Sequence, residues 1–343
     1  MTSVLSAVPS DVGRATTLIP FALWTLQGPE AKALAQAELP HLRDWLKLAT
    51  RVSVDVDRVQ APLLASLTPP HERAWARAMG WRVADGRMPN AAWAASARGL
   101  CAAEADASSS GWAFIHLCNW HVSNGQVTLG DPAHLQIDEA TDATLLQAMQ
   151  GFFAEDGIVL HPYKPGQWLA QSALFVDLPT ASLDRVIGRN IDPWLVGGHT
   201  TAPLSPAAQL LRRLQNEMQM LLYTHPVNEV RRLAINSFWV HGTGVLPASP
   251  PTPSEPLLVN TLRDSALQQD LIGWLEAWQH VDAHVMAPML ARLAAGESQR
   301  LVLCGEHEFH VYDSVKPSLW QRLRQRFAPT SLDTVLAAAP LKD

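Results

Sequence analysis

Two groups of histidine and carboxylate residues near the C-terminus are candidates for metal binding or proton transfer. His280 and His284 lie four residues apart, and on a predicted helix this spacing places both imidazoles on one face, where they could bind a metal ion. Glu306, His307 and His310 follow a short apolar segment, and α/β proteins commonly bind ligands at the carboxyl end of such a strand. The alternatives are a solvated helix face and the solvent-facing side of an edge strand. We favour the solvated helix face for His280 and His284, and the edge strand for Glu306, His307 and His310, because short motifs often arise by chance.

A third group of polar residues lies earlier in the chain and predicts a ligand-binding surface. Its asparagine, histidine, arginine and tryptophan side chains are the types that line a polar pocket with one flat wall. The members are Asn119, His225, Asn228, Arg231, Asn236 and Trp239. The alternative is structural, because His225 and Asn228 could stabilise a turn after a helix while Trp239 fills a hydrophobic core.

The motifs of two common enzyme classes are incomplete in this sequence. Gly242-Thr243-Gly244 follows a predicted strand, which is the position of a phosphate-binding loop, but it does not extend into either glycine-rich phosphate-binding pattern. We therefore interpret it as a tight turn. No serine lies in the Gly-x-Ser-x-Gly pattern of an α/β-hydrolase nucleophile.

The composition predicts a folded protein that has no general affinity for nucleic acid. The chain has 343 residues, of which 48% are hydrophobic and 17% charged, and its formal net charge is −6. This charge does not attract nucleic acid or anionic membrane, so we expect a small molecule or a protein as the partner. Arg322, Arg324 and Arg326 could contact an acidic partner. Their spacing does not form one helical face, and we interpret them as part of a solvated helix.

Cysteine usage and hydropathy indicate the compartment. Cys101, Cys118 and Cys304 are widely spaced and form no Cys-x-x-Cys pair, so we expect them to be buried and reduced. The first residues lack the basic and apolar regions of a signal peptide. No apolar run approaches the ~20 residues that a membrane-spanning helix needs. We therefore expect a cytoplasmic protein without membrane contact.

The hydrophobic pattern predicts the elements that must position these residues. Residues 17–24 predict a buried strand and residues 29–50 a helix. Val52, Val54 and Val56 alternate with polar residues, which predicts a half-buried strand.

Further along the chain, turn and cap residues mark additional elements. Ser123-Asn124-Gly125 predicts the turn of a hairpin, since Asn-Gly readily adopts positive φ. Ser205-Pro206 predicts the N-terminus of a helix, with serine as the cap and proline in the first turn. Residues 235–240 predict a strand, and residues 138–153 and 282–294 predict helices.

The order of these elements predicts an α/β protein with an insertion. Residues 247–256 are rich in proline and serine and predict a linker. Strands alternate with helices at both ends of the chain, and a block containing a hairpin lies between. We therefore predict that residues 1–108 form the first part of an α/β core, residues 109–246 an α+β insertion domain, and residues 257–343 the rest of the core.

Several segments of the insertion together resemble one bacterial family. His225-Pro226-Val227-Asn228, Ile235-Asn236-Ser237-Phe238-Trp239 and Gly242-Thr243-Gly244 resemble segments of the RpfE-type bacterial regulatory proteins. Shorter motifs that agree with this resemblance lie at residues 130–135, 153–157 and 216–220. The resemblance spans residues 110–330 and implies a regulatory role without a known chemical reaction.

A more distant resemblance covers most of the chain. Asn119, residues 225–228 and the Asn-x-x-Trp sequence from Asn236 resemble the insertion domain of archaeal-type cofactor-independent phosphoglycerate mutases, which belong to the alkaline-phosphatase superfamily. Leu39-Pro40-His41-Leu42 and Val281-Asp282 resemble helical segments of the same enzymes. This resemblance implies an alkaline-phosphatase-like three-layer core.

The same resemblance argues against the reaction of those enzymes. They use two metal ions to activate a serine or threonine nucleophile, and they need an aspartate at the end of the first strand. This chain has Phe21-Ala22-Leu23-Trp24 there, and after the last strand of the core only His307 matches a ligand. We therefore predict that the two-metal site is absent and that no cofactor is bound.

Two functions from different classes remain open. The favoured one is a non-catalytic regulatory or binding protein on a degenerate phosphoglycerate-mutase-like scaffold, with its working surface in the insertion domain. The alternative is a metal-dependent phosphatase or phosphomutase with a reduced or relocated metal site. That site would be built from Glu306, His307 and His310, or from the His280 and His284 pair.

Overall fold

The computed structural model describes residues 14–24, 37–57, 66–100, 110–123, 125–198, 203–247, 255–314 and 332–337. The chain forms two compact units, each with its own sheet. The first unit comprises Met1–Val56, Ala74–Trp81 and Ser249–Asp343, and the second comprises Asp57–Arg73 and Arg82–Ala248.

The helices and strands are numbered in chain order. The strands are β1 (Ala15–Ile19), β2 (Ala49–Val56), β3 (Gly111–Cys118), β4 (Trp120–Ser123), β5 (Gln126–Leu129), β6 (Val159–Lys164), β7 (Gln167–Ser172), β8 (Ser237–Gly244), β9 (Leu257–Leu258), β10 (Gln299–Cys304) and β11 (Glu308–Ser314). The α-helices are α1 (Pro40–Lys47), α2 (Pro70–Ala78), α3 (Asn90–Ala97), α4 (Glu139–Glu155), α5 (Leu183–Val186), α6 (Pro206–Tyr223), α7 (Arg263–Leu267), α8 (Leu271–Val281), α9 (Ala287–Ala294) and α10 (Leu332–Leu336). A π-helical turn, Asp282–Met286, joins α8 to α9.

The sheet of the first unit mixes parallel and antiparallel pairs. Its strand order is β2-β11-β10-β1-β9, in which β1 runs parallel to β9 and β10 while β11 runs antiparallel to β10 and β2. Successive residues of the central strands enter different apolar clusters: Leu301 and Leu303 pack with residues of α1, α8 and α9, whereas Val302 and Cys304 pack with Ala74 of α2. Both faces of the central strands are therefore buried, as expected for strands with parallel neighbours.

The strand predicted from alternating valines is confirmed as β2, but its valines are not half-buried. Val52, Val54 and Val56 are 50%, 44% and 53% exposed. The reason is the position of β2 at the edge of the sheet, which no single-strand pattern reveals. A register shift opposite Val311 and Tyr312 interrupts its pairing with β11, and such bulges make an edge strand a poor template for further pairing.

The second unit is an antiparallel sheet of order β6-β7-β3-β8 with helices packed against it. One cluster joins Ile115, Trp168 and Phe238 of the strands to Met149 of α4 and Leu214 of α6. A further cluster joins Trp112, Phe114 and Leu169 to the alanines of α3. β4 and β5 form a separate hairpin at the position that Ser123-Asn124-Gly125 predicted, although Asn124 itself lies outside the described residues.

Local capping explains where the two long helices of this unit begin. The Asp138 carboxylate accepts a hydrogen bond from the Thr141 N–H at 2.8 Å at the start of α4. The Ser205 hydroxyl accepts one from the Ala208 N–H at 3.2 Å, and Pro206 occupies the first turn of α6. The helix predicted from Ser205-Pro206 is therefore confirmed, with the cap that the sequence indicated.

Two local expectations were wrong. The first strand was expected over residues 17–24, but β1 ends at Ile19, because Pro20 lacks an N–H and Phe21 adopts a φ of 56°. Gly242-Thr243-Gly244 is not a tight turn after a strand but the last part of β8. Its Thr243 hydroxyl is buried and donates to the Leu178 carbonyl at 2.6 Å.

The division into units can be compared with the predicted domains. The α/β character of the chain is confirmed, since each unit combines helices with a sheet. The sequence assigned residues 1–108 to the core, whereas Asp57–Arg73 and residues 82–100 lie in the second unit. The ion pairs of Asp57 and Arg73 with each other and of Asp57 with Arg185 belong to that unit. For residues 82–100 the reason is α3, whose buried Ala91 and Ala95 pack against the sheet of that unit.

The cysteines, the predicted linker and the arginine-rich segment are only partly described by the structure. Cys118 and Cys304 are buried, as expected. Cys101, residues 248–254 of the predicted linker and the arginines at 322, 324 and 326 lie outside the described residues. Within the described part of the chain, none of the helices combines the length and apolar character needed to cross a membrane.

Candidate functional site

The carboxyl ends of β1 and β10 lie at the same edge of the first sheet, because these strands are parallel. The chain after β1 folds back against β10 there, and the Ala22 and Leu23 N–H groups both donate to the Cys304 carbonyl, at 2.6 and 3.2 Å. Both side chains are buried and belong to the hydrophobic core of the unit. In many α/β proteins this edge holds the ligand.

Aromatic and aliphatic groups complete this apolar region. The Trp24 N–H donates to the Leu336 carbonyl at 3.0 Å, and the Trp24 ring packs 5.2 Å from that of Trp274. The Trp274 indole N–H donates to the Phe21 carbonyl at 2.8 Å. We call Ala22, Leu23, Trp24, Trp274 and Leu336 the apolar plug.

The candidates that follow β10 occupy the same edge but form two separate pairs. His307 Nε2 lies 3.7 Å from Glu306 Oε1, and both side chains are partly exposed. His310 Nε2 lies 3.4 Å from Glu308 Oε2, and both are buried at the beginning of β11. Among the residues that the structure describes, no three His, Cys, Asp or Glu side chains come close enough together to hold a metal ion.

The predicted histidine pair near the end of α8 faces solvent. The rings of His280 and His284 stack with their centroids 4.1 Å apart, so the two side chains do share one face. The His284 Nδ1 donates to the His280 carbonyl at 3.0 Å, which commits one of its ring nitrogens. Both residues are exposed.

Asp282, which lies between these histidines in sequence, points elsewhere. Its buried carboxylate accepts hydrogen bonds from the Leu42 N–H at 2.7 Å and the His41 N–H at 3.2 Å. His41 Nδ1 lies 2.8 Å from the same carboxylate. Asp282 therefore caps the N-terminus of α1 and is not positioned as a ligand for the histidine pair.

The residues at the sheet edge do not fit a two-metal centre. Such a centre needs several carboxylates and imidazoles around one point. After β1 the chain instead provides the buried, apolar Ala22 and Leu23, and after β10 it provides the Glu306 and His307 pair. In the described part of the first unit, this donor set is too small to hold two divalent ions.

In the second unit, the predicted asparagines bind backbone groups. Asn236 forms a two-way bridge to Trp120, accepting from its N–H at 2.7 Å and donating to its carbonyl at 2.9 Å. The Asn119 amide donates to the Ala234 carbonyl at 2.7 Å. These contacts attach the segment before β8 to the segment between β3 and β4.

Asn228 stabilises the same segment from its other side. Its amide NH2 donates to the Leu222 and Ile235 carbonyls, both at 2.8 Å, and its oxygen accepts from the Ile235 N–H at 2.8 Å. We call Asn119, Asn228 and Asn236 the asparagine clasp. Most of the hydrogen-bonding capacity of the Asn228 side chain is used within the unit.

The other three predicted ligand-binding residues also have structural contacts. The Arg231 guanidinium donates to the Leu135 carbonyl, and His225 Nδ1 accepts from the Val227 N–H at 3.3 Å. Trp239 is 2% exposed, and its indole N–H donates to the Ala181 carbonyl at 3.0 Å. The six residues thus have contacts of the structural type that the sequence left open as the alternative.

The second unit also contains a buried charged region that no sequence pattern predicted. Arg185 Nη2 donates to Asp57 Oδ2 at 2.6 Å, and Arg73 forms an ion pair with the other oxygen of the same carboxylate. The Ser66 hydroxyl lies 2.8 Å from Asp57 Oδ1. We call Asp57, Ser66, Arg73 and Arg185 the Asp57 cluster; the Asp57 and Arg185 side chains are only 0% and 2% exposed.

Further ionisable groups adjoin the cluster on α2 and α5. His71 Nε2 lies 3.2 Å from Asp184 Oδ2, and the Ser182 hydroxyl donates to the Glu72 carboxyl at 2.6 Å. Burial raises the pKa of Glu72, against the opposing effects of His71 and of the Ser182 hydrogen bond. Perturbed carboxyl groups with charged neighbours are common in functional sites and in structural ion networks alike.

A weak signal for this cluster does exist in the sequence. His71-Glu72-Arg73 lies in the first turn of α2, and Asp184-Arg185 is a second charged group in a chain with few charges. The pairing itself was not predictable, because 128 residues separate Arg185 from Asp57.

Two concave regions also lie in the second unit. A cavity of about 910 Å³ is formed by the segments 172–179 and 203–208, with Val196, Gly197 and the end of α4. Its lining is mainly apolar, including Leu174, Val176 and Leu204. A shallower groove of about 560 Å³ lies between α4 and α6, and His225 is one of its lining residues.

Comparisons with known proteins give little further information. No family model matches the sequence, and no curated protein matches it either. Among solved structures, that of the PH0037 protein from Pyrococcus horikoshii is similar over 88% of this chain and 87% of that chain, with 11% sequence identity and a TM-score of 0.44. A similarity of this extent carries no argument about fold family or function.

Proposed function

We propose that the protein is a non-catalytic binding protein of the regulatory type, built on a degenerate core like that of the phosphoglycerate mutases and working in the cytoplasm. The observation that carries this proposal is the apolar plug. Ala22, Leu23 and Leu336 occupy the sheet edge where a three-layer α/β enzyme of that kind would place its catalytic groups.

The physical argument concerns the burial of charge. A phosphoryl-transfer centre needs carboxylates that remain ionised and that hold metal ions near the substrate. Burying such a charge among apolar groups without a partner is costly, so an apolar plug and a metal centre exclude each other at one location. The Ala22 and Leu23 amides bind the Cys304 carbonyl, which fixes the plug in place.

The second unit is the proposed location of ligand binding. Its cavity of about 910 Å³ is within the usual size range of small-molecule pockets, and such pockets are mostly apolar with a few polar groups. Leu174, Val176 and Leu204 provide apolar surface, and Ser172 and Ser205 provide hydroxyl groups. The ligand of this cavity is therefore a small molecule with a largely apolar surface.

The first experiment measures metal content and phosphatase activity. Purified full-length protein is expected to contain less than one zinc or manganese ion per chain after dialysis and to leave p-nitrophenyl phosphate intact with added metal. Stoichiometric metal together with turnover would overturn the proposal.

One observation favours a second candidate, a phosphatase with a relocated metal site. The Glu306–His307 and Glu308–His310 pairs lie in one hairpin at the ligand edge of the first sheet. If activity is found, His307→Ala combined with His310→Ala should abolish both metal binding and turnover. The matched control replaces the exposed His280 and His284 with alanine and should leave both unchanged.

A further inference from the structure

The Asp57 cluster has the composition of an oxyanion-binding site. Two guanidinium groups and one hydroxyl, from Arg185, Arg73 and Ser66, converge on a single carboxylate. Arginine is well suited to recognising carboxylate and phosphate oxygens, because its planar group presents several donors in a fixed geometry. In this structure the anion is part of the chain, the side chain of Asp57.

The two guanidiniums are also held by groups other than Asp57. Arg73 Nη1 donates to the Thr68 carbonyl and to the Ser66 hydroxyl, both at 2.7 Å. Arg185 Nη2 lies 3.1 Å from the same hydroxyl and 3.5 Å from the Thr68 carbonyl. The Thr68 backbone is fixed in turn, since its N–H donates to Asp85 at 2.9 Å. The cationic groups would therefore remain in position if the Asp57 carboxylate left.

The position of the Asp57 carboxylate favours an anion. Arg185 is almost fully buried, and a buried cation without a counter-ion is strongly destabilising. Two other carboxyl groups lie nearby: Asp184 is next to His71, and Glu72 is bound by Ser182 and also interacts electrostatically with Arg185. Loss of the Asp57 carboxylate would remove one negative charge directly beside the two guanidiniums in a poorly solvated region, which favours binding of another anion there.

We infer that Arg73, Arg185 and Ser66 form a binding site for a phosphate-type oxyanion, and that the Asp57 carboxylate is an internal competitor that occupies this site in the ligand-free protein. An incoming anion takes over the hydrogen bonds that Asp57 now accepts. This contact is thus autoinhibitory. The inference does not depend on the proposed function, because it concerns different residues from the plug and the cavity.

The test measures the binding of inorganic phosphate to full-length variants by calorimetry and by thermal unfolding. Asp57→Ala should bind phosphate about ten-fold more tightly than the wild type or better, which corresponds to ~1.4 kcal/mol. Phosphate should also raise the unfolding temperature of this variant in a saturable manner, whereas chloride at equal ionic strength should not. Adding Arg185→Gln to Asp57→Ala should abolish the effect.

The matched control is Asp44→Ala, which removes a carboxylate from a surface ion pair with Lys47 in the first unit. The inference is overturned if Asp57→Ala binds phosphate no more tightly than the wild type or this control. If Asp57→Ala does not fold, Asp57→Asn keeps the shape and removes the charge. Phosphate must then stabilise Asp57→Asn more than the wild type, and an equal effect on both would equally overturn the inference.

Discussion

The asparagine clasp gives a direct test of whether the predicted ligand-binding residues are structural. Asn228 is the member with the most contacts, and its side chain makes three hydrogen bonds of 2.8 Å to the backbone of Leu222 and Ile235. In Asn228→Ala, two carbonyls and one N–H lose their partners in a partly buried region. The substitution should therefore lower the free energy of unfolding.

The expected size follows from the number of bonds. A typical intramolecular hydrogen bond contributes about 1 kcal/mol, so three bonds in a region that water can partly reach give a loss of about 2–3 kcal/mol. Asn228→Asp should lose at least as much at neutral pH. Its carboxylate would place an oxygen, in place of the amide nitrogen, against the Leu222 and Ile235 carbonyls.

The assay is urea-induced unfolding of the full chain, followed by tryptophan fluorescence and circular dichroism. The matched control is Asn190→Ala, which removes a single exposed hydrogen bond of 3.2 Å from the Asp192 N–H and should cost less than about 1 kcal/mol. If Asn228→Ala unfolds at the same urea concentration as the wild type, the clasp does not stabilise the unit. A ligand-binding role for Asn228 would then regain support.

Two further predictions concern the first unit. Asp282→Ala should destabilise the protein by about 1–2 kcal/mol, because α1 loses the cap on its His41 and Leu42 N–H groups; an unchanged unfolding midpoint in urea would contradict this. Burial alone would raise the pKa of Asp313, but hydrogen bonds and charge from Arg300 and Arg14 outweigh burial and hold the pKa below its ordinary value of ~3.9. This interaction therefore stabilises the fold above pH ~4, and its contribution is lost as the pH falls through the lowered pKa. Asp313→Asn should flatten the dependence of stability on pH in that acidic range, and parallel curves for variant and wild type would refute the assignment.

The sequence predicted those elements whose signals are local. The serine cap, the Ser123-Asn124-Gly125 segment and the alternating valines each depend on a few adjacent residues. They correctly predicted α6, the β4–β5 hairpin and β2. The helix over residues 138–153 is similarly confirmed as α4, Glu139–Glu155, because its cap and its apolar residues are close in sequence.

The sequence was less informative where contacts between distant residues determine burial and capping. The favoured interpretation of residues 305–310 as the solvent-facing side of an edge strand was wrong, because Glu308 and His310 are buried in β11, which has paired strands on both sides. The helix predicted over residues 282–294 begins with a π-helical turn, and its Asp282 caps a helix that lies 240 residues earlier. Neither contact could be inferred from residue spacing.

The candidate site shows the same limit. Residue type correctly marked the asparagines as hydrogen-bonding groups, but whether they would bind a ligand or the backbone depends on the turn that surrounds them. The sequence did not predict the pairing of Asp57 with Arg185, since isolated charges are usually exposed and this pairing depends on the fold alone.

The course of the chain through the two units determines how the protein can be divided experimentally. Residues 82–248 form a continuous segment that contains most of the second unit, and they would be the obvious choice for an isolated fragment. Such a fragment would keep Arg185 but lose Asp57, and so would expose a cation that is normally neutralised. Truncation at residue 82 therefore removes Asp57, Ser66 and Arg73 together, and a fragment that keeps the whole cluster must begin no later than Asp57.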